Sequence, residues 1–131
     1  LYWSLTAAMS KRLVASAHDC SDAGLAAAVA ECCFGCDSGA SIEISQIYSS
    51  VDNLDIWGAL FGESLGRILV SVSPNNSQEF EQSMKDHECN LLGVVDSGDS
   101  ITFRDAGQVV LSASMSNLRD SWKGTLNGGG N

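Results

Sequence analysis

The sequence predicts an α+β domain, with a mixed sheet and helices packed on it. Three observations lead there. Short apolar segments suited to strands (13–18, 40–44, 67–72 and 91–95) are interleaved with stretches of helical spacing at 2–10, 22–35 and 75–87. The chain then changes character: Ile101-Thr102-Phe103 and Gln108-Val109-Val110-Leu111 read as a hairpin about Asp105-Ala106-Gly107, with a last helix behind it. Finally, 131 residues bury one core and are too few for two ordinary ones, and no internal repeat divides them.

The elements follow in order. Tyr2, Leu5 and Met9 recur at helical spacing, so a helix leads into a first strand at 13–18. A second helix over 22–35 carries Leu25, Val29, Cys32 and Cys33 on one stripe. Its other face is mostly alanine, which suits a helix covered on both sides; Ser21 is a candidate N-cap and Gly35 a candidate stop. Ala40-Ser41-Ile42-Glu43-Ile44 alternates as a strand does. A polar stretch with Ser49, Ser50, Asp52 and Asn53 reads as a loop, and Leu54, Ile56, Trp57, Leu60 and Phe61 as a short helix after it. Arg67–Val72 is a strand closed by Pro74, the sole proline. Asn75 or Asn76 caps the next helix, with Phe80 and Met84 inward. Leu91–Val95 is a strand, and Asp96-Ser97-Gly98-Asp99 a turn. Ser114 caps the final helix, marked by Met115, Leu118 and Trp122. The tryptophans and methionines at helical spacing are expected in the core, and Asn127–Asn131 is expected to be a flexible tail.

Most of the chemistry-bearing residues gather where the first strand meets the second helix, at Ser16-Ala17-His18-Asp19-Cys20-Ser21-Asp22-Ala23-Gly24-Leu25. A strand, a polar turn and a helix start expose backbone N–H groups and the positive end of the helix dipole. The amides of Ala23, Gly24 and Leu25 are candidates to hold a phosphate or carboxylate, with His18 and the aspartates orienting hydroxyl or amine groups. Equally, Ser21 and Asp22 serve as plain helix caps. Gly24, read as the third helical position, disfavours the helix by roughly 1 kcal/mol against alanine, which points to a close backbone approach. His18, Asp19 and Ser21 do not make a nucleophilic triad: neighbours in one turn seldom reach that geometry, and no G-x-S-x-G elbow is present. No Walker or G-x-G-x-x-G motif appears. Glu63, between Gly62 and Ser64 in a second polar turn, reads either as a ligand contact or as a solvated carboxylate. Lys123 and Arg119 on the last helix read either as contacts for a phosphate or, preferably, as surface groups.

Composition narrows the partners. A net charge of −9 argues against nucleic acid, whose phosphates call for clustered lysine and arginine. No apolar run is long enough to span a bilayer. Leu1-Tyr2-Trp3-Ser4 shows no signal-peptide pattern, and without an initial methionine the chain is expected to be a piece of a longer protein. The five cysteines, Cys20, Cys32, Cys33, Cys36 and Cys89, are odd in number and crowd at one helix end. Cys33-Phe34-Gly35-Cys36 lacks a second pair at zinc spacing, so the thiols are expected to be buried and reduced, with no metal, in the cytoplasm.

Three motifs carry a family resemblance. Ala15-Ser16-Ala17-His18-Asp19-Cys20-Ser21-Asp22-Ala23-Gly24-Leu25-Ala26 resembles the S-A-H-D-x-S-D-G-G-L-A stretch of phosphoribosylformylglycinamidine synthases. Leu60-Phe61-Gly62-Glu63-Ser64-Leu65-Gly66-Arg67 is similar to their F-x-E-s-x-x-R segment, again followed by an apolar strand. Leu118-Arg119-Asp120-Ser121-Trp122-Lys123-Gly124 is similar to the L-x-x-a-W-K-G ending of the small-subunit form. Together, in order, they cover about 15–124.

The resemblance implies a C-terminal domain of the aminoimidazole ribonucleotide synthetase superfamily over 1–126, with a mixed, partly ferredoxin-like sheet. It implies an ATP-dependent carbon–nitrogen ligase of purine biosynthesis as the parent, in which a phosphorylated amide oxygen is displaced by glutamine-derived ammonia. ATP and Mg would be held mainly by an N-terminal domain absent here, and ammonia supplied by a glutaminase subunit. The isolated domain would be inactive and without a cofactor. Exposed apolar surface left by the missing domain would favour self-association, for example as a homodimer. Matched position by position, His18, Asp19, Ser21, Asp22, Ala23, Gly24 and Glu63 would line the phosphoribosyl-substrate side of the cleft. Ala23 departs from the family's glycine, a change tolerated if the position is an unstrained helical one. The same domain occurs in aminoimidazole ribonucleotide synthetase, thiamine-monophosphate kinase, selenophosphate synthetase and a hydrogenase maturation factor. A non-catalytic interaction module, docking through the acidic surface, is the alternative from another class.

Overall fold

The computed structural model describes residues 1–35, 38–48 and 55–126. In chain order these form α1 (Tyr2–Ser10), β1 (Val14–Asp19), α2 (Gly24–Phe34), β2 (Gly39–Glu43), α3 (Ser45–Tyr48) and α4 (Ile56–Phe61). Then follow β3 (Ile68–Val72), a 3-10 turn (Pro74–Asn76), α5 (Ser77–Ser83), β4 (Gly93–Asp96), β5 (Ser100–Asp105), β6 (Gln108–Ser114) and α6 (Met115–Leu126). The α+β class is as the sequence predicts. The expected loop residues Ser49, Ser50, Asp52 and Asn53, together with Leu54, Cys36 and the tail 127–131, lie outside the described residues.

The strands divide between two sheets. β1 pairs with β3 antiparallel, while β4-β2-β5-β6 form a mixed sheet in which β2 and β5 run parallel and the other pairs antiparallel. Alternation along β3 explains how the sheets share one fold. Leu69 packs on the larger core, built from α2, the mixed sheet, Leu60 and Met115. Its neighbours Ile68, Val70 and Val72 face the other way, onto Leu5, Ala8, Leu13, Phe80 and Met84 between α1 and α5. The β1–β3 ribbon is therefore a wall between two cores, and its end is where the polar turn emerges.

Helix α2 is buried on both sides, as its alanines predict: Leu25, Ala26, Ala28, Val29, Ala30 and Cys33 are all in the core. The β5–β6 loop has only Ala106 and Gly107, at φ +48° and +80°. That is the two-residue turn whose twist matches a right-twisted hairpin. Glu43 pins it: Oε1 accepts from Ala106 N–H at 2.9 Å and Ser45 N–H at 3.2 Å, and Oε2 from Gly107 N–H at 3.0 Å. The Ser45 hydroxyl, the Gly107 amide and these other donors hold the Glu43 carboxyl below the usual carboxylate range.

Several expectations are corrected. α1 buries Leu5 and Ala8, leaving Tyr2 and Met9 exposed, because α5 presents Phe80 and Met84 to that stripe. Met84 and Met115 are core, but Trp3 (89% exposed), Trp57 and Trp122 are not. Trp57 stacks on Phe61 and Trp122 packs on Phe34, rings kept at the rim by their size. Arg119 is no free surface cation; its Nη2 donates to the Phe34 carbonyl at 3.1 Å. α5 stops at Ser83 rather than near His87, and the short helix α3 at 45–48, ahead of the expected loop, has no counterpart in the sequence reading. Cys20 and Cys33 are buried, Cys32 partly so, and Cys89 exposed. Among the described residues no helix is long and apolar enough to cross a membrane.

Candidate functional site

Helix α2 begins at Gly24, two residues later than its composition suggests. Ser21 does not take the N-cap position, and the residue that does has no side-chain oxygen to bond the first amides. Instead Ala23 takes the N-cap position at φ +55° and Gly24 follows at φ +68°. Two successive left-handed residues turn the chain sharply from β1 into α2. For Gly24 this conformation is free; for Ala23 it carries the Cβ–carbonyl crowding of the left-handed region. The helix expected over 22–35 therefore starts after Ala23, and the condition under which alanine is tolerated there, an unstrained helical position, is not met.

The close approach expected at Gly24 is real, but its partner is the chain itself. A Cβ built there lies 2.8 Å from the Leu60 carbonyl oxygen, 2.8 Å from the Phe61 carbonyl carbon and 2.9 Å from the Gly62 oxygen. The α2 start is thereby wedged against the end of α4. Glu63, next in line, accepts a hydrogen bond from Ala23 N–H at 3.1 Å. That amide, expected to be open to an external anion, is occupied by a carboxylate 40 residues away. Arg67 completes the junction: its Nη2 donates to the Ala59 oxygen at 3.4 Å and the Gly62 oxygen at 3.3 Å, and its carbonyl accepts from Cys20 N–H at 3.0 Å.

Between the two turns lies an open cleft of about 380 Å³, lined by Asp19, Cys20, Ser21, Asp22, Glu63, Ser64, Leu65, Gly66, Arg67 and Ile68, with Tyr2 at its rim. Of the residues expected at the site, Asp19, Ser21, Asp22 and Glu63 converge here. Gly24 is buried behind the turn, and Ala23 contributes the amide already bonded to Glu63. His18 points elsewhere: Nδ1 donates to the Asp19 carbonyl at 2.7 Å, and Nε2 lies 2.9 Å from Glu31 Oε2 on α2. Burial pushes the Cys20 thiol up, and Arg67 pulls it partly back.

Three carboxylates against one guanidinium make the lining acidic, and that guanidinium is already donating to backbone carbonyls. Such a wall accepts hydrogen bonds from hydroxyl and N–H groups and repels a bare phosphate. Among the described residues, no three His, Cys, Asp or Glu side chains are placed to hold a metal ion.

Over residues 2–106 the chain matches the family described as AIR synthase related protein, C-terminal domain. The chain belongs to that family. This AIR synthase-related domain is 32% identical over 123 residues to the phosphoribosylformylglycinamidine synthase subunit PurL of Prochlorococcus marinus (strain MIT 9313). The alignment covers 88% of the domain and 15% of that subunit. Two solved structures, T. maritima PurL complexed with ATP and T. maritima PurL complexed with FGAR, match at a TM-score of 0.79 and 18% identity. Each match covers 88% of this chain and a fifth or less of the other, 20% and 19%. At that identity the likeness shows the fold.

Sequence reasoning overlooked Arg67 and Tyr2 as members of the AIR synthase-related domain's cleft. Arg67 carried a signal: a lone cation after Gly62-Glu63-Ser64-Leu65-Gly66, at the mouth of an apolar strand. Tyr2 carried none, because only the docking of α1 against α5 brings its ring to this rim.

Proposed function

We propose that the cleft is one wall of a phosphoribosyl-substrate site, and that the parent protein is a phosphoribosylformylglycinamidine synthase. The observation that carries this reading is the convergence of Asp19, Ser21 and Asp22 with Glu63. Two motifs 40 residues apart, each resembling that family, supply a single cleft. In this reading Asp19, Asp22 and Ser21 accept hydrogen bonds from ribose hydroxyls and the amide N–H groups of formylglycinamide ribonucleotide. The phosphate is held by cations of the parent outside this chain, since the wall described here is acidic.

The residues of this chain do not by themselves fit magnesium–ATP. The motifs that cradle a nucleotide phosphate are missing from the sequence, and the one arginine of the cleft is engaged by carbonyl oxygens. The nucleotide and its metal belong to the preceding ATP-binding domain of the parent, ammonia comes from its glutaminase partner, and the setting is cytoplasmic. His18 serves the site from behind, fixing the Asp19 backbone.

Titration calorimetry with formylglycinamide ribonucleotide and, separately, with ATP tests this on the chain and on a full-length parent. Binding of the ribonucleotide, weakened at least tenfold by Asp22→Ala, is the expected result. Unchanged affinity and unchanged catalytic efficiency in Asp22→Ala would remove the site assignment. A second reading, an interaction module, rests on the exposed Trp3, Trp57, Leu65 and Leu91. Folded chain that binds neither ligand in any context would favour it.

A further inference from the structure

We propose that Glu63 is a positioning residue: it holds the 19–22 turn open toward the cleft through the Ala23 N–H, and does not itself grip the ligand. The proposal deepens the substrate-cleft reading above and rests on it.

Ser21 and Asp22 are residue types that ordinarily turn back and cap a helix start. Here neither caps α2, and both line the cleft. What prevents capping is the backbone. With Ala23 at φ +55° and Gly24 at φ +68°, two successive left-handed residues stand between Ser21 and Asp22 and the first turn of α2. That conformation is unfavourable for an alanine, a cost which the surrounding contacts must offset.

Three contacts on the far side hold it. Glu63 Oε1 takes the Ala23 N–H at 3.1 Å and so supplies a capping acceptor to this turn. The Gly24 Cα is seated against the Leu60–Gly62 backbone. Arg67 ties that same backbone down through the Ala59 and Gly62 carbonyls. Glu63 thus stands in as a cap from a distant segment, and Ser21 and Asp22 are released for the cleft. Without it, Ala23 is free to relax to negative φ, and Ser21 or Asp22 to turn onto the helix.

The test compares Glu63→Gln, Glu63→Ala and the double variant Ala23→Gly/Glu63→Ala in the full 131-residue chain. Exchange of the Ala23 amide is followed by NMR, and affinity for formylglycinamide ribonucleotide by calorimetry. Glutamine retains an oxygen acceptor, so Glu63→Gln is expected to keep both within about twofold. Glu63→Ala should speed the amide's exchange and weaken the ribonucleotide by roughly three- to tenfold, the loss of one charge-assisted hydrogen bond in a solvated setting. Ala23→Gly should restore most of the lost affinity in the double variant, because glycine takes positive φ without help. Equal loss of affinity in Glu63→Gln and Glu63→Ala, with the Ala23 amide undisturbed and no rescue, overturns the proposal and makes Glu63 a ligand contact. If the wild-type chain and the full-length parent fail to bind the ribonucleotide, the substrate reading falls alone. The exchange data then decide the clamp: acceleration in Glu63→Ala but not in Glu63→Gln supports it, and no acceleration refutes it.

Discussion

Gly24→Ala is the most informative single perturbation of the junction. The new methyl meets backbone atoms on three sides, the Leu60 and Gly62 oxygens and the Phe61 carbonyl carbon, at 2.8, 2.9 and 2.8 Å. Backbone cannot swing aside as a flexible side chain would, so α2 must separate from α4 at Leu60, a fully buried residue. Overpacking of this kind costs about 1–3 kcal/mol. The positive φ of +68° adds about 1–2 kcal/mol for a residue with a Cβ. A loss of about 2–4 kcal/mol remains after allowing about 0.4–1 kcal/mol for the stiffer unfolded chain. That is a large part of the roughly 5–15 kcal/mol typical of a domain. Urea denaturation followed by tryptophan fluorescence should show the midpoint falling at constant slope, with Tm lower by roughly 8–16 °C. Ala23→Gly is the control one residue away: at φ +55° it should leave stability unchanged or raise it by up to about 1 kcal/mol. A Gly24→Ala loss below about 0.5 kcal/mol, no more than an ordinary surface change, would refute the wedge between the two turns.

Other outcomes follow from the same structure. The Glu43 carboxyl is held below its usual range, so its contribution is complete above the unfolded value of about 4.3 and is lost as pH falls through the lower folded value. The Ala106 and Gly107 amides, corrected for intrinsic exchange, should therefore lose protection below that range in wild type; pH-independent protection there would contradict the latch. Leu60→Ala empties a fully buried site beneath both turns and should cost about 2–5 kcal/mol in denaturation, against which a loss under 1 kcal/mol would count. Cys89 is exposed while Cys20 and Cys33 are buried. Among these three, mass-mapped alkylation of the native chain should label Cys89 first, and early labelling of Cys20 would show that the cleft floor is open.

The amino-acid sequence by itself determined much of the fold, because its signals are local. An apolar stripe on α2 with alanine on its other face announced a helix buried on two sides, alternation at 40–44 and the apolar run at 67–72 announced strands, and Asp105-Ala106-Gly107 announced the hairpin turn. It also marked both halves of the site as polar turns carrying Asp19, Ser21, Asp22 and Glu63. Tertiary structure decided what those halves do to one another. That Ala23 is left-handed, that Gly24 makes room for Leu60–Gly62, that Glu63 rather than Ser21 serves the α2 start, and that His18 turns away to Glu31 all depend on segments 13 to 40 residues apart coming into contact. The division into two sheets, and the loss of Met9, Trp57 and Trp122 from the expected core, have the same origin. Periodicity reports which face of an element is apolar, whereas burial depends on which partner arrives to cover it. The polar turn at 18–25 was legible as a candidate site from its residues; its geometry exists only because another turn holds it from behind.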